Sequence, residues 1–139
     1  MTQPAVDERP AIAAAVIVNE GRFLLVRRSL PEGDLSWQFP AGEVEDGETG
    51  IDAAVRETAE EAGLLVVAKA LLGERVHPAT GRTMIYVACE VIDGEAHAAS
   101  LEEVSAVVWC RLEEIPAYVP RGFYEPVQKH LEELLSQNA

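Results

Sequence analysis

The sequence predicts a single α/β domain in which two helices pack against a mixed β-sheet. Three observations carry that reading. Apolar runs bounded by turn residues mark strands at about Ala11–Val18, Arg22–Arg28, Leu65–Val76, Thr83–Ile92 and Val104–Arg111. Two other segments, about Thr49–Ala62 and Pro126–Gln137, carry their apolar residues at helical spacing. The chain has 139 residues, 48% of them hydrophobic, which is enough for one core and too apolar for disorder.

Residues 1–9 read as a flexible polar leader, and residues 10–139 as the domain proper. Asn19-Glu20-Gly21 is a hairpin signal between the first two strands. Leu30–Ser36, with Pro31 and Gly33, reads as a loop, and Trp37–Phe39 as a short strand stopped by Pro40. The first helix has both ends marked. Thr49 is a candidate N-cap with Asp52 three residues on, and Gly63 suits the left-handed position past the last turn. Ile51, Ala54, Val55, Thr58 and Ala62 form its expected buried stripe. The next strand reads as continuous or broken at Gly73, and Pro78–Arg82 as a turn. Residues 113–122 read as irregular. In the second helix, Pro126 suits the first turn, with Val127, Leu131, Leu134 and Leu135 facing inward.

Charge and cysteine usage exclude several classes. A net charge of −13 argues against nucleic-acid polymers and anionic membranes as partners. No run reaches the roughly 18 apolar residues of a membrane span. Cys89 and Cys110 lack metal or redox spacing and sit in apolar runs. Buried free thiols are the expectation, in keeping with a reducing cytoplasm.

The chemistry concentrates in the first helix. Glu57, Glu60 and Glu61 are related by i, i+3 and i+4, so they fan over one sector of its surface. Carboxylates held that close repel one another unless a cation sits among them. Hard oxygen donors on a short arc suit Mg²⁺, with Mn²⁺ as a substitute. A solvated acidic face is the alternative for a Glu-rich helix, and the flanking residues decide between the two.

Gly42, Glu48, Arg56, Glu57, Glu60, Glu61, Gly63 and Leu64 resemble, in register and without a gap, the signature of the Nudix hydrolases, and MutT-like members in particular. Thr58 departs from the aliphatic residue usual there. It is branched like Val, and its hydroxyl can bond back one turn. The resemblance implies an α/β/α sandwich, loop–helix–loop geometry around the metal and hydrolysis of phosphoric anhydride bonds. It makes Glu57, Glu60 and Glu61 metal ligands, with Glu60 and Glu61 foremost, supported by Glu48 and Gly42. Arg56 stays protonated and is suited to orienting a neighbouring carboxylate. By the same resemblance Glu103, six residues before Trp109, is a further ligand or base, and Arg28 reaches the substrate phosphates.

For the substrate, the resemblance implies a small-molecule nucleotide: a nucleoside triphosphate or a related nucleoside diphosphate derivative. Trp37, Gln38, Phe123 and Tyr124 are the expected base contacts. MutT-type enzymes place an Asn before Glu125-Pro126-Val127 to read oxidised guanine. Tyr124 stands there instead, which turns the expectation away from 8-oxo-dGTP. Pro78, fifteen residues after Gly63, matches a Pro of the ADP-ribose hydrolases and makes ADP-ribose or a nucleotide sugar the alternative. His77 and His97 read as loop residues. A non-catalytic nucleotide-binding regulator is set aside because the signature is unbroken and no DNA-binding domain accompanies it. A purely structural acidic domain is set aside as well. The chain is expected to be a monomer or homodimer.

Overall fold

The fold is a computed structural model that describes residues 8–32 and 35–136. Seven strands form one mixed sheet: β1 (Ile12–Asn19), β2 (Arg22–Glu32), β3 (Leu35–Gln38), β4 (Ala41–Glu43), β5 (Leu65–Val76), β6 (Thr83–Asp93) and β7 (Val104–Cys110). Helix α1 spans Gly50–Ala62, a short α2 spans Ile115–Tyr118, and α3 spans Glu125–Leu135. The main strand order is β3-β2-β1-β6-β5, with β4 paired to β1 and β7 to β2. The β1–β6 pair is parallel and the others are antiparallel.

β1 explains the layering. Its five central residues, Ala13 to Ile17, are buried, and they alternate between two cores. Ala13, Ala15 and Ile17 pack with Ala53, Ala54 and Ala62 of α1. Ala14 and Val16 pack on the other side with Val127, Leu131 and Leu135 of α3. A strand covered on both faces reads as an unbroken apolar run rather than an alternating one. This is the α/β/α sandwich, in one domain. No helix of the described residues is long and apolar enough to cross a membrane.

The caps hold as expected. Thr49 Oγ1 accepts from the Asp52 amide at 3.0 Å, and Gly63 takes φ +68° past the last turn of α1. The Glu20-Gly21 hairpin turn has positive φ at both positions, which matches strand twist. Cys89 and Cys110 are buried free thiols, and burial pushes them up to about 11 and about 12.

Several expectations need correction. The expected loop after Arg28 is largely strand, because β2 runs on to Glu32 and β3 starts at Leu35. The backbone pairing of this hairpin overrides the turn residues within it, while Gly33 lies outside the described residues. β4 was not anticipated, being only three residues long. β5 is not broken at Gly73, which sits at a register shift instead. Within 113–122, a 3₁₀ turn at Leu112–Glu114 and α2 occupy the first part, while residues 119–122 are irregular as expected. Leu134 and Ile51 are each 42% exposed, so neither belongs to its helix's inner face. The buried face of α1 is instead Ala53, Ala54, Glu57, Thr58, Glu61 and Ala62, so two of the acids lie inside it. Of the expected leader, only Glu8 and Arg9 are described, and both are exposed.

Candidate active site

Two segments bring the carboxylates together. The first is α1 itself. Thr58 satisfies its hydroxyl on the Ala54 carbonyl at 2.8 Å, which lets a polar residue occupy the fully buried side. The second is the connection from β6 to β7. It is laid along the end of α1 by two backbone bonds, His97 N to Ala62 O and Ala99 N to Glu61 O, both 3.0 Å. Ser29 pins its far end, donating its amide to Glu103 O and its hydroxyl to Leu101 O, both at 2.9 Å. Glu103 is thereby held beside the helix. A carboxylate oxygen from each of Glu57, Glu61 and Glu103 lies within 4.8 Å of the others.

Glu57 and Glu61 are buried, while Glu103 is exposed and closes the group from the solvent side. Glu61 accepts the Ala41 amide at 3.1 Å, which fixes it to the start of β4. Burial, with Glu57 and Glu103 adding repulsion and a hydrogen bond, raises the Glu61 pKa to about 8 despite that amide. Burial also raises Glu57, against the opposing pull of Arg56. Gly42 touches the same group. A Cβ there would fall on the Glu57 carboxylate, at its Cδ and both oxygens.

Arg56 is the hub of an ion-pair network. Its Nε and Nη2 donate to the two Glu48 oxygens at 2.8 and 2.9 Å, and its Nη1 donates to Glu57 at 2.8 Å. Nη1 also reaches Glu60 at 3.2 Å, and Nη2 the Glu43 carbonyl at 3.0 Å. The bidentate pair with Arg56 holds the Glu48 carboxyl down at about 2. Glu48 therefore faces the arginine and supports the cluster from one remove. Glu60 stands outside the three-carboxylate group, with its side chain 53% exposed and directed to Arg56.

A cleft of about 190 Å³ opens next to this cluster, with Gly42 on its wall. Arg28, Trp37, Gln38, Phe123 and Tyr124 line it, so all five expected substrate contacts converge on one cavity. Their packing differs. Trp37 meets Tyr118 edge to face at 5.2 Å. Phe123 stacks on Phe39 at 4.7 Å and meets Phe23 edge-on at 5.9 Å, so it is also a core residue. Tyr124 donates its hydroxyl to Glu74 O at 3.0 Å and packs on Tyr86 at 5.3 Å.

Sequence reasoning missed Arg75, Arg82, Arg121 and Tyr86, which line the same cleft. With Arg28, the cleft gathers four of the eleven basic residues of a chain with net charge −13. Scarcity was the available signal: Arg75 and Arg82 flank one turn in a chain otherwise short of cations. Arg82 is committed to structure, donating to Pro10 O at 2.7 Å and to the Glu43 carboxylate at 2.8 Å.

Buried carboxylates on the first helix of an α/β/α sandwich, beside a cationic and aromatic cleft, suit a divalent cation next to an anionic ligand. The NUDIX domain family matches residues 7–133, and the chain belongs to the Nudix hydrolase family. A CTP pyrophosphohydrolase of Escherichia coli is 31% identical over 108 residues, covering 77% of this chain and 79% of that protein. An RNA pyrophosphohydrolase of Halorhodospira halophila is 43% identical over 65 residues, covering 47% of this chain and 34% of that protein. The latter match thus spans about a third of the relative's length. The crystal structure of a NUDIX hydrolase from Nitrosomonas europaea superposes with a TM-score of 0.76 at 24% identity. It covers 94% of this chain and 74% of that one.

Proposed function

We propose that this protein is a Mg²⁺-dependent pyrophosphohydrolase that cleaves the diphosphate linkage of a nucleoside triphosphate or a related nucleoside diphosphate derivative. The observation that carries the reading is the group formed by Glu57, Glu61 and Glu103, two of them buried, beside a cleft lined by arginines and aromatics. Buried carboxylates packed this closely are poor neighbours for one another and good ones for a hard cation. Glu57, Glu61 and Glu103 would hold it, with Glu60 joining from the solvent side in exchange for its contact with Arg56. Gly42 packs against the same carboxylates. When bound, the cation neutralises phosphate oxygens and makes an attacking water more acidic.

The protein's own residues do the rest. Arg56 fixes Glu57 through the ion pair and is itself fixed by Glu48. Arg28 supports binding of the phosphates. Trp37, Gln38, Phe123 and Tyr124 enclose the nucleoside end. Glu103 is exposed at the mouth of the cluster and can accept a proton there. Names borne by relatives, CTP and RNA pyrophosphohydrolases, fit a substrate carrying a nucleoside polyphosphate group. Pro78 lines the same cleft, which favours ADP-ribose or a nucleotide sugar as the second reading.

Release of phosphate or pyrophosphate from a panel of nucleoside triphosphates, ADP-ribose and nucleotide sugars tests the proposal. Activity should require a divalent cation and rise toward alkaline pH, since the carboxylates must ionise to hold the metal. Undiminished turnover in excess EDTA would contradict it.

A second expected outcome concerns stability. The Glu61 pKa is raised from the ordinary 4.5 to about 8, so the metal-free protein favours the neutral acid. That contribution is complete below about 4.5 and is lost as pH rises through about 8. A bound cation favours the ionised form instead. Mg²⁺ should therefore raise Tm more at pH 8 than at pH 5.5, as calorimetry with and without EDTA would show. Equal Mg²⁺ effects at the two pH values would count against the assignment of Glu61.

A further inference from the structure

Arg75 is set apart from the other cationic residues of the cleft. It belongs to β5, where it pairs with Met84 of β6. Its guanidinium carbon lies 5.1 Å from the Tyr124 ring centre and 5.8 Å from that of Tyr86. Its Nε donates to the Tyr86 hydroxyl at 3.2 Å. Tyr124 is itself anchored to the Glu74 carbonyl, and the tyrosine rings pack on each other. The guanidinium is thus held by two rings and one hydrogen bond. Among the described residues, its terminal nitrogens have no hydrogen-bond or ion-pair partner.

This arrangement changes the part Tyr124 plays. Arg75 lies over the ring, so stacking of a base on Tyr124 competes with the arginine. What the assembly offers to the cleft is a positioned pair of parallel N–H donors. A guanidinium end presents such a fork, and it matches two adjacent acceptors in one plane. Tyr124 and Tyr86 hold that fork in place beside the cleft.

We propose that Arg75 is a specificity-determining residue that selects nucleotides whose base carries two adjacent hydrogen-bond acceptors, O2/N3 of cytosine or O6/N7 of guanine. The inference rests on the nucleotide-hydrolase reading above and names its substrate class. Adenine offers a donor beside its acceptor on either edge and is disfavoured. Oxidised guanine carries a proton on N7, which breaks the acceptor pair, so 8-oxo-dGTP is a poor substrate as well.

The test uses binding and turnover on the full chain. CMP, GMP, AMP and UMP are titrated calorimetrically, and the four triphosphates are assayed for kcat/KM. CMP or GMP should bind roughly ten- to a hundredfold more tightly than AMP, the discrimination usual for one bidentate pair. Loss of GMP binding with 7-deaza-GMP would assign the guanine edge, and unchanged selectivity for CMP the cytosine edge. Arg75→Lys keeps the charge and loses the fork, so the preference over adenine should collapse. Arg75→Gln pairs an acceptor with a donor and should shift the ratio toward ATP. Circular-dichroism melts confirm that each variant is folded. If Arg75→Lys weakens all four nucleotides equally, Arg75 serves the phosphates and the proposal is overturned. Equal binding of AMP, CMP and GMP by the unchanged protein overturns it too. Base-selective binding with no hydrolysis of any triphosphate, nucleotide sugar or ADP-ribose would instead overturn the hydrolase reading and leave this one standing.

Discussion

Glu61→Gln is expected to reduce kcat by about a thousandfold or more at saturating Mg²⁺, a loss of several kcal/mol of charge stabilisation in the transition state. Glu61 is the buried carboxylate common to the whole arrangement. It touches the start of β4 through the Ala41 amide and lies within reach of both Glu57 and Glu103. Glutamine keeps the size and can keep the amide contact, since its carbonyl oxygen accepts as the carboxylate does. The fold should therefore survive. The metal-free variant should also escape the loss of stability between about pH 4.5 and 8 that the ionising glutamate brings, because its side chain no longer titrates. Kinetics and melting curves on the same preparation separate the two effects. Glu60→Gln should lower activity as well, with a larger Mg²⁺ requirement, because Glu60 joins the cation only from the exposed side.

Gly42→Ala is expected to lower kcat by roughly a hundredfold while moving Tm only a few degrees, an effect of displacing a catalytic group rather than of unfolding. The added methyl would occupy the space of the Glu57 carboxylate. The carboxylate is the end of a flexible side chain, so it can swing aside without disturbing the sheet. The position it leaves is the one Arg56 and the other two acids define. Steady-state kinetics with a Mg²⁺ titration checks this: kcat should stay low at every Mg²⁺ concentration. Near-normal kcat would mean that the position of Glu57 against Gly42 is unimportant to the reaction.

Much of this site could be read from the sequence because its parts are local. The spacing of Glu57, Glu60 and Glu61 is helical geometry, and Thr49 and Gly63 fix where that helix begins and ends. The depth of each acid was not legible. A helical wheel centred on Ile51 places the acids outward, yet Glu57 and Glu61 are buried because β4 and the segment before β7 cover that side of α1. Such cover comes from chain distant in sequence. The same limit hid the arginine cleft. Arg75 and Tyr86 meet through the antiparallel register of β5 and β6, and Tyr124 joins them from the start of α3. No local pattern encodes those meetings. The strands were legible where apolar runs are long, as in β1 and β6, and illegible in β4, whose three residues are too few for periodicity.

The central claim, that Glu57, Glu61 and Glu103 together hold a divalent cation, is tested most directly by Mn²⁺ titration at pH 8, with free Mn²⁺ followed by electron paramagnetic resonance. The unchanged protein should take up Mn²⁺ in competition with Mg²⁺, and Glu61→Gln should weaken that uptake by at least about tenfold, the effect of removing one charged ligand from a small set. Equal Mn²⁺ binding by the two proteins would contradict the account.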